Sequence, residues 1–313
     1  MSKQPKNVGQ SVLDRLNRMA KERAITTDSL YLRYVAERFL YRLSISPYSA
    51  SFILKGGNMF TVWHGQNYRA TKDIDFLGYS VSNDLENIRN IFYAILTAEL
   101  PVSDGITFLT DTLKVHEINK EADYRGVHVE VIAHIINYKT SLQIDIGFGD
   151  QVIPTFEERE YPTLLEFPSP IVYTYSIYSV ISEKFHAMVI LGIGNSRLKD
   201  FSDIYTIMNR FDIDGELLQQ AIHTTFKQRH TELPTEIPTV FTSEYYGDQA
   251  KVTQWKNFSK KILSVHEVEL PEVTHSLVLF LMPVVESIAL NVVFTKRWDK
   301  DSQTWLSSEI VSQ

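Results

Sequence analysis

The sequence predicts an α+β fold, a mixed β-sheet domain followed by a helical one, and three observations predict it. Short apolar runs closed by turn residues, Phe52-Ile53-Leu54 before Gly56-Gly57 and Asp73 to Gly78, read as strands, and further strand-like runs lie between Thr107 and Phe148. Few helical patterns interrupt them, which favours an α+β sheet over strict strand–helix alternation. From Ser176 onward the apolar period becomes helical, after a stretch punctuated by Pro154, Pro162, Pro168 and Pro170. The expected division is a helical lead over residues 1–50, an α+β domain over 51–175 and a helical domain over 176–313.

The elements follow in order. Val12 to Ala24 puts Val12, Leu13, Leu16, Met19 and Ala20 on one helix face. Thr26-Thr27-Asp28 offers caps for a second helix over 28–44. Ser51 to Leu54 is the first strand, Met59 to Trp63 a short helix, and Asp73 to Gly78 the second strand. Asn83 to Leu100 reads as a helix with Leu85, Ile88, Ile91, Phe92 and Ile95 inward. Thr107 to Ile118, Val127 to Ile136 and Leu142 to Phe148 read as strands, with a turn at Asn137-Tyr138-Lys139-Thr140. Residues 151–175 read as a linker, and Ser176 to Leu191 as a strong helix. Leu217 to Arg229 and Thr253 to Leu263 are expected helices, as is Ser276 to Phe294 with an interruption at Met282-Pro283.

With 313 residues, 44% of them apolar, the chain can build an ordinary core. It contains no cysteine, which excludes disulfides and thiolate metal sites. The opening M-S-K-Q-P-K has no apolar core, and apolar runs fall short of the ~18 residues of a membrane span, so a cytoplasmic protein without signal peptide or membrane segment is expected. The net charge of -7 argues against a generally basic nucleic-acid binder. The charge is uneven: residues 1–44 carry nine Lys/Arg and four Asp/Glu, +5, which leaves -12 for the remainder. A basic N-terminal face could follow a phosphate backbone, or be an ordinary solvated helix surface.

The chemistry concentrates in Lys55 to Leu77. Asp73-Ile74-Asp75-Phe76 is a D-x-D in a strand, where residues two apart share a face. Two neighbouring carboxylates repel, and a divalent cation relieves them; oxygen ligands alone suit Mg²⁺ or Mn²⁺, held through carboxylates and substrate phosphates. Upstream, Gly56-Gly57-Asn58 lets the backbone approach phosphate oxygens. Taken singly, a D-x-D can be a solvated strand end and a glycine pair a plain turn. Asp145, between two isoleucines, is a third carboxylate, costly to bury without a cation, an arginine such as Arg69 or Arg125, or backbone donors. Lys184 lies close to the apolar face of its helix, where it either snorkels or has a partner. Lys199-Asp200-Phe201-Ser202-Asp203 follows, and Asp200 can serve as a helix N-cap.

The ordered set of strand, Gly56-Gly57-Asn58, short helix and Arg69-x-Thr71-x-Asp73-Ile-Asp75 resembles the signature of the polymerase-β-like nucleotidyltransferases. With Glu183-Lys184-x-x-Ala187 and Lys199-Asp200-x-x-Asp203, it looks like the AbiEii toxin family of type IV abortive-infection toxin–antitoxin systems. The resemblance implies a nucleotidyltransferase-type α+β domain, a helical bundle, and a nucleotide held in the cleft between them. It implies Asp73, Asp75 and Asp145 as metal ligands, with Asp145 alternatively the base for the acceptor hydroxyl. Lys55, Gly56, Gly57, Asn58, Arg69, Thr71 and Lys184 would bind the nucleotide, and Asp200, with or without Asp203, would help set the site. Where this chain has Asn58, many members of the superfamily carry serine. The implied activity is Mg²⁺- or Mn²⁺-dependent transfer of a nucleoside monophosphate from a nucleoside triphosphate to an RNA acceptor, the tRNA 3′ end first. The implied partner is a cognate antitoxin acting without a stable complex. Two other readings stand beside it: a GTP-binding regulatory module without transfer, and nucleotidylation of protein hydroxyls.

Overall fold

The structure is a computed structural model that describes residues 7–65, 71–120, 124–260 and 262–307. The chain forms two compact units. Unit 1 comprises Met1–Asp150 and Phe156–Tyr175, and unit 2 comprises Gln151–Thr155 and Ser176–Gln313. The helices of residues 1–50 thus group with the sheet.

Among the described residues, unit 1 is built on a seven-stranded mixed sheet. Its elements are α1 (Val8–Arg23), α2 (Thr27–Ser44), β1 (Phe52–Lys55), α3 (Asn58–His64), β2 (Asp73–Gly78), α4 (Leu85–Leu96), β3 (Thr107–Lys120), β4 (Tyr124–Ile135), β5 (Tyr138–Phe148), β6 (Glu157–Glu160) and β7 (Ile171–Thr174). The spatial order is β3-β4-β5-β2-β1-β7-β6. β2 runs antiparallel to β1 and parallel to β5, and β7 runs parallel to β1. α1 starts four residues before its apolar period because the Asn7 side chain accepts from the Gln10 amide at 3.0 Å. It stops where Ala24 turns left-handed, at φ 52°.

One face of the sheet is apolar. Ile74, Phe76, Ile144, Ile146, Val127 and Val129 are buried. α2 and α4 cover this face: Phe39 stacks on Phe92 at 5.8 Å, and Phe52 meets Phe76 at 5.9 Å and Phe92 at 5.3 Å. Burying an aromatic side chain contributes roughly 1.5–3 kcal/mol, so this cluster anchors the helices to the sheet. Strand alternation then sends Asp73, Asp75 and Asp145 to the opposite face.

Two expectations for unit 1 are corrected. Residues 151–175 are not a linker, since β6 and β7 extend the sheet beyond β1. The prolines bound these four-residue strands rather than prevent them: Pro162, Pro168 and Pro170 all lie in the β6–β7 connection, closed by the Tyr161 amide on the Pro170 carbonyl at 2.9 Å. The turn expected at 137–140 sits instead at Ile136-Asn137, because Ile135 pairs with Tyr138 and Ile136 adopts φ 53°.

Unit 2 contains α5 (Ile177–Leu191), α6 (Leu198–Met208), α7 (Gly215–Gln228), α8 (Ser243–Tyr246), α9 (Gln249–Ser259) and α10 (Leu270–Ala289). It is not wholly helical. β8 (Ile213–Asp214), β9 (Lys296–Asp299) and β10 (Thr304–Ser307) form an antiparallel sheet in the order β10-β9-β8. Trp298 and Trp305 from this sheet pack on Phe280 at 4.9 and 5.6 Å. α10 runs through Pro283 without the expected interruption. By length and composition alone Ile177–Gly194 and Leu270–Ala289 pass the test for a membrane span, as core helices of globular proteins also do, and 44% and 50% of each window is buried inside the protein.

Candidate active site

β2 presents Asp73 and Asp75 on its polar face, both half-buried. Asp75 pairs in register with Asp145 on the neighbouring parallel strand β5, and Asp73 with Gln143. Neighbouring strands lie about 4.8 Å apart, so the Asp75 and Asp145 carboxylates share one small patch. The register continues outward: Lys55 pairs with Asp75, His128 with Asp145, and His116 with His128. One row of five polar side chains therefore crosses β1, β2, β5, β4 and β3. His128 Nδ1 lies 2.6 Å from Asp145 Oδ1, and the His116 and His128 rings are 4.9 Å apart. A cleft of about 350 Å³ opens here, lined by Asp73, Gln143, Asp145, His128 and His116 among others.

The glycine loop serves this patch directly. Gly56 has φ +65°, and a Cβ there would lie 2.1 Å from Asp75 Oδ2. Only a glycine admits the Asp75 carboxylate at that place. Gly57 is the N-cap of α3 in an ordinary helical conformation, φ -66° and ψ -25°. Lys55 Nζ lies 3.2 Å from Asp150 Oδ2 and 5.5 Å from the Tyr175 ring centre. The side chain of Asn58 is buried and occupied: its amide donates to the Asp73 carbonyl at 3.0 Å and accepts from the Tyr161 hydroxyl at 3.3 Å. Burial pushes the Tyr161 phenol up to about 12, so it stays a neutral donor. Asn58 thus ties α3 to the start of β2. Thr71 is half-buried just before β2, and Arg69 lies outside the described residues.

Lys184, Asp200 and Asp203 meet within unit 2. Lys184 Nζ lies 2.8 Å from both Asp200 Oδ1 and Asp203 Oδ2, and Arg197 Nε lies 2.9 Å from Asp200 Oδ2. Both carboxylates are fully buried. Burial alone would pull the Lys184 ammonium down; Asp200 and Asp203 outweigh it and hold the group above the ordinary lysine range. Lys184 therefore has partners and does not snorkel to solvent. Asp200 is in the first turn of α6, whose N-cap is Arg197, so the capping alternative for Asp200 is excluded.

The basic N-terminal face is smaller than its composition suggests. Arg38 is buried beside Glu37, 3.0 Å away, and Arg42 is buried against Asp104 at 2.7 Å. Arg18, Lys21 and Arg23 remain exposed on α1. The residues that reading along the chain missed are His128, His116 and Asp150. A hairpin closed at 137–140 would set Asp145 opposite Ile132; the observed turn, centred two residues earlier, sets it opposite His128. The signal was therefore hairpin register, not composition.

Three carboxylates without sulfur form the donor set of a hard divalent cation. Among the described residues no three His, Cys, Asp or Glu side chains enclose an ion by themselves. A cation held by one or two carboxylates and completed by substrate phosphates needs no such cage, and the patch fits Mg²⁺ on those terms. A sheet covered by helices on one side and lined with paired carboxylates on the other suits phosphoryl-transfer chemistry.

The comparison with protein families makes this specific. The family model described as nucleotidyl transferase AbiEii toxin, type IV toxin–antitoxin system, matches residues 38–275, well over half of the chain. The chain belongs to this family of nucleotidyltransferase toxins. No curated protein matches it. Among solved structures, a candidate nucleotidyltransferase from H. pylori is 13% identical, with a TM-score of 0.45, over 86% of this chain and 100% of that one. The Helicobacter pylori protein JHP933 is 13% identical, with a TM-score of 0.46, over 85% of this chain and 95% of that one.

Proposed function

We propose that this chain transfers a nucleoside monophosphate from a nucleoside triphosphate to the 3′ end of tRNA, with Mg²⁺ or Mn²⁺ as cofactor, and that a cognate antitoxin restrains it. The observation that carries the reading is the register pairing of Asp75 with Asp145, with Asp73 two residues away on the same face. Asp73, Asp75 and Asp145 would hold the cation, which when bound would supply neutralising charge for the triphosphate. The acceptor 3′ hydroxyl oxygen bonds to the α-phosphorus as the bond to the bridging oxygen breaks. Pyrophosphate leaves with the electron pair of the broken bond, and the hydroxyl proton passes to solvent or, where Asp145 acts as base instead of ligand, to Asp145. Gly56 and Gly57 bring backbone N–H groups toward the phosphates, Thr71 supports the strand that carries the carboxylates, and Arg69 would bind the nucleotide, as the resemblance implies. An ammonium has three donors, of which Lys184 gives two to Asp200 and Asp203. In this reading, as the family resemblance implies, Lys184 also contributes to triphosphate binding.

A terminal hydroxyl suits the site because an internal 2′ hydroxyl would drag its own backbone phosphates over an acidic floor. The exposed Arg18, Lys21 and Arg23 supply a modest basic surface for one phosphate-rich end. The test incubates each α-labelled nucleoside triphosphate, Mg²⁺ and total tRNA with wild type and Asp75→Asn. Wild type should lengthen tRNA by one or a few nucleotides, Asp75→Asn should not, and periodate-blocked tRNA should stay unlabelled. Label in protein would favour nucleotidylation of protein hydroxyls; nucleotide binding without pyrophosphate release would favour a regulatory module.

A further inference from the structure

The geometry points to His128 as a positioning residue that holds the Asp145 carboxylate in its working orientation through a hydrogen bond from Nδ1; the inference rests on the reading of Asp145 as part of the metal and acceptor site. Three observations converge on it. The two side chains occupy directly opposed register positions on adjacent antiparallel strands, so the backbone presents them to each other. Nδ1 and Oδ1 are 2.6 Å apart, a short contact of the kind made by a donor and a charged acceptor. An ionised carboxylate only accepts, so Nδ1 is the nitrogen that carries the proton in this contact. Finally, the ring is part-buried and has a ring neighbour. His128 keeps 19% of its side-chain surface, and the His116 ring lies 4.9 Å away at 43°.

The consequence follows from carboxylate geometry. Asp145 sits on a strand and can rotate its carboxylate about one broad terminal torsion. A donor on one oxygen selects the plane in which the carboxylate faces its neighbour Asp75 and the cleft. Groups that orient metal-binding side chains typically contribute about 10- to 100-fold in metal affinity or activity. On the Lys55 side of the row Asp75 is wedged against Gly56; on the outer side His128 does the corresponding work for Asp145.

The experiment compares wild type, His128→Ala, His128→Asn, His128→Gln and Asp145→Asn, each verified as folded by thermal melting. Mn²⁺ alone is titrated into each protein and the free ion is read by electron paramagnetic resonance. Transfer kinetics are measured in parallel. The amide nitrogen of Asn falls where the imidazole Nδ1 lies, whereas that of Gln reaches the position of Nε2. The expected result is that His128→Ala weakens Mn²⁺ binding and lowers kcat by about 10-fold or more, with KM for the nucleotide little changed. His128→Asn should recover most of both, and His128→Gln should not. Wild-type Mn²⁺ affinity and kcat in His128→Ala would overturn the inference. So would equal defects in the Ala and Asn variants, since the ring would then matter only as packing. Unchanged Mn²⁺ binding in Asp145→Asn would instead remove Asp145 from the metal site and take the underlying reading down with it.

Discussion

Replacing Gly56 by alanine tests how tightly the glycine loop and the D-x-D strand are fitted together. The new Cβ would lie 2.1 Å from Asp75 Oδ2, 2.7 Å from its Cγ and 2.9 Å from its Cβ. An unstrained carbon–oxygen contact needs more than about 3 Å, so the Asp75 carboxylate must retreat by roughly 1 Å. A displacement of that size at a catalytic group costs on the order of 10²-fold in rate. The backbone adds its own term. Gly56 stands at φ +65°, where an alanine costs roughly 1–2 kcal/mol. At about 2–4 °C per kcal/mol for a unit of this size, the melting temperature should fall by about 2–8 °C. Initial rates of labelled nucleotide incorporation into tRNA, with differential scanning calorimetry on the same preparation, measure both effects. In an Asp75→Ala background the same substitution should cost less stability, because the oxygens it meets are gone. If Gly56→Ala kept wild-type kcat and melting temperature and altered only KM, the loop would be a phosphate cradle with no steric tie to Asp75, and the reasoning would fail.

Two further outcomes are expected. Lys184→Ala strands the buried carboxylates of Asp200 and Asp203 and should destabilise the protein by roughly 3–5 kcal/mol, part of which Asp200→Asn with Asp203→Asn restores; denaturant unfolding checks it, and a loss below about 1 kcal/mol would contradict the buried triad. Glu37 is pushed up to about 7, first by burial, against the opposing pull of Arg38 and the Leu164 amide. Because its folded-state value lies above the ordinary one near 4.5, its contribution is full below about pH 4.5 and lost as pH rises through about 7. Up to about 3 kcal/mol of stability should therefore disappear between pH 5 and 8 in wild type, relative to Glu37→Gln, at about 1.4 kcal/mol per pH unit. Parallel melting curves for the two proteins across that range would refute it.

The same residues mark where reading along the chain succeeds and where it stops. The strand–Gly56-Gly57–helix–Asp73-Ile74-Asp75 series was legible because each feature is local. Period-2 alternation places two aspartates on one face, and glycines mark a close turn, whatever the rest of the chain does. α1, α2, α4 and α5 were legible for the same reason: an apolar stripe at helical spacing must be buried. Their ends were less so, because caps such as Asn7 and Asp84 are single hydrogen bonds.

What only the tertiary structure decided depends on pairing between distant segments. A two-residue difference in the β4–β5 turn decides whether Asp145 faces Ile132 or His128, and no local pattern fixes that turn. The brief strands β6 and β7 have too few residues to show a period, and they form only because β1 offers an edge to pair with. The charge count promised a basic N-terminal face, yet Arg38 and Arg42 turn inward to Glu37 and Asp104, partners that composition cannot assign. Lys184 looked exceptional beside an apolar helix face; its reason, two buried carboxylates from α6, exists only once the two helices are packed. Local sequence determines which side chains share a face of an element. The fold determines which element each face meets, because that choice is made by burial and register summed over the whole unit.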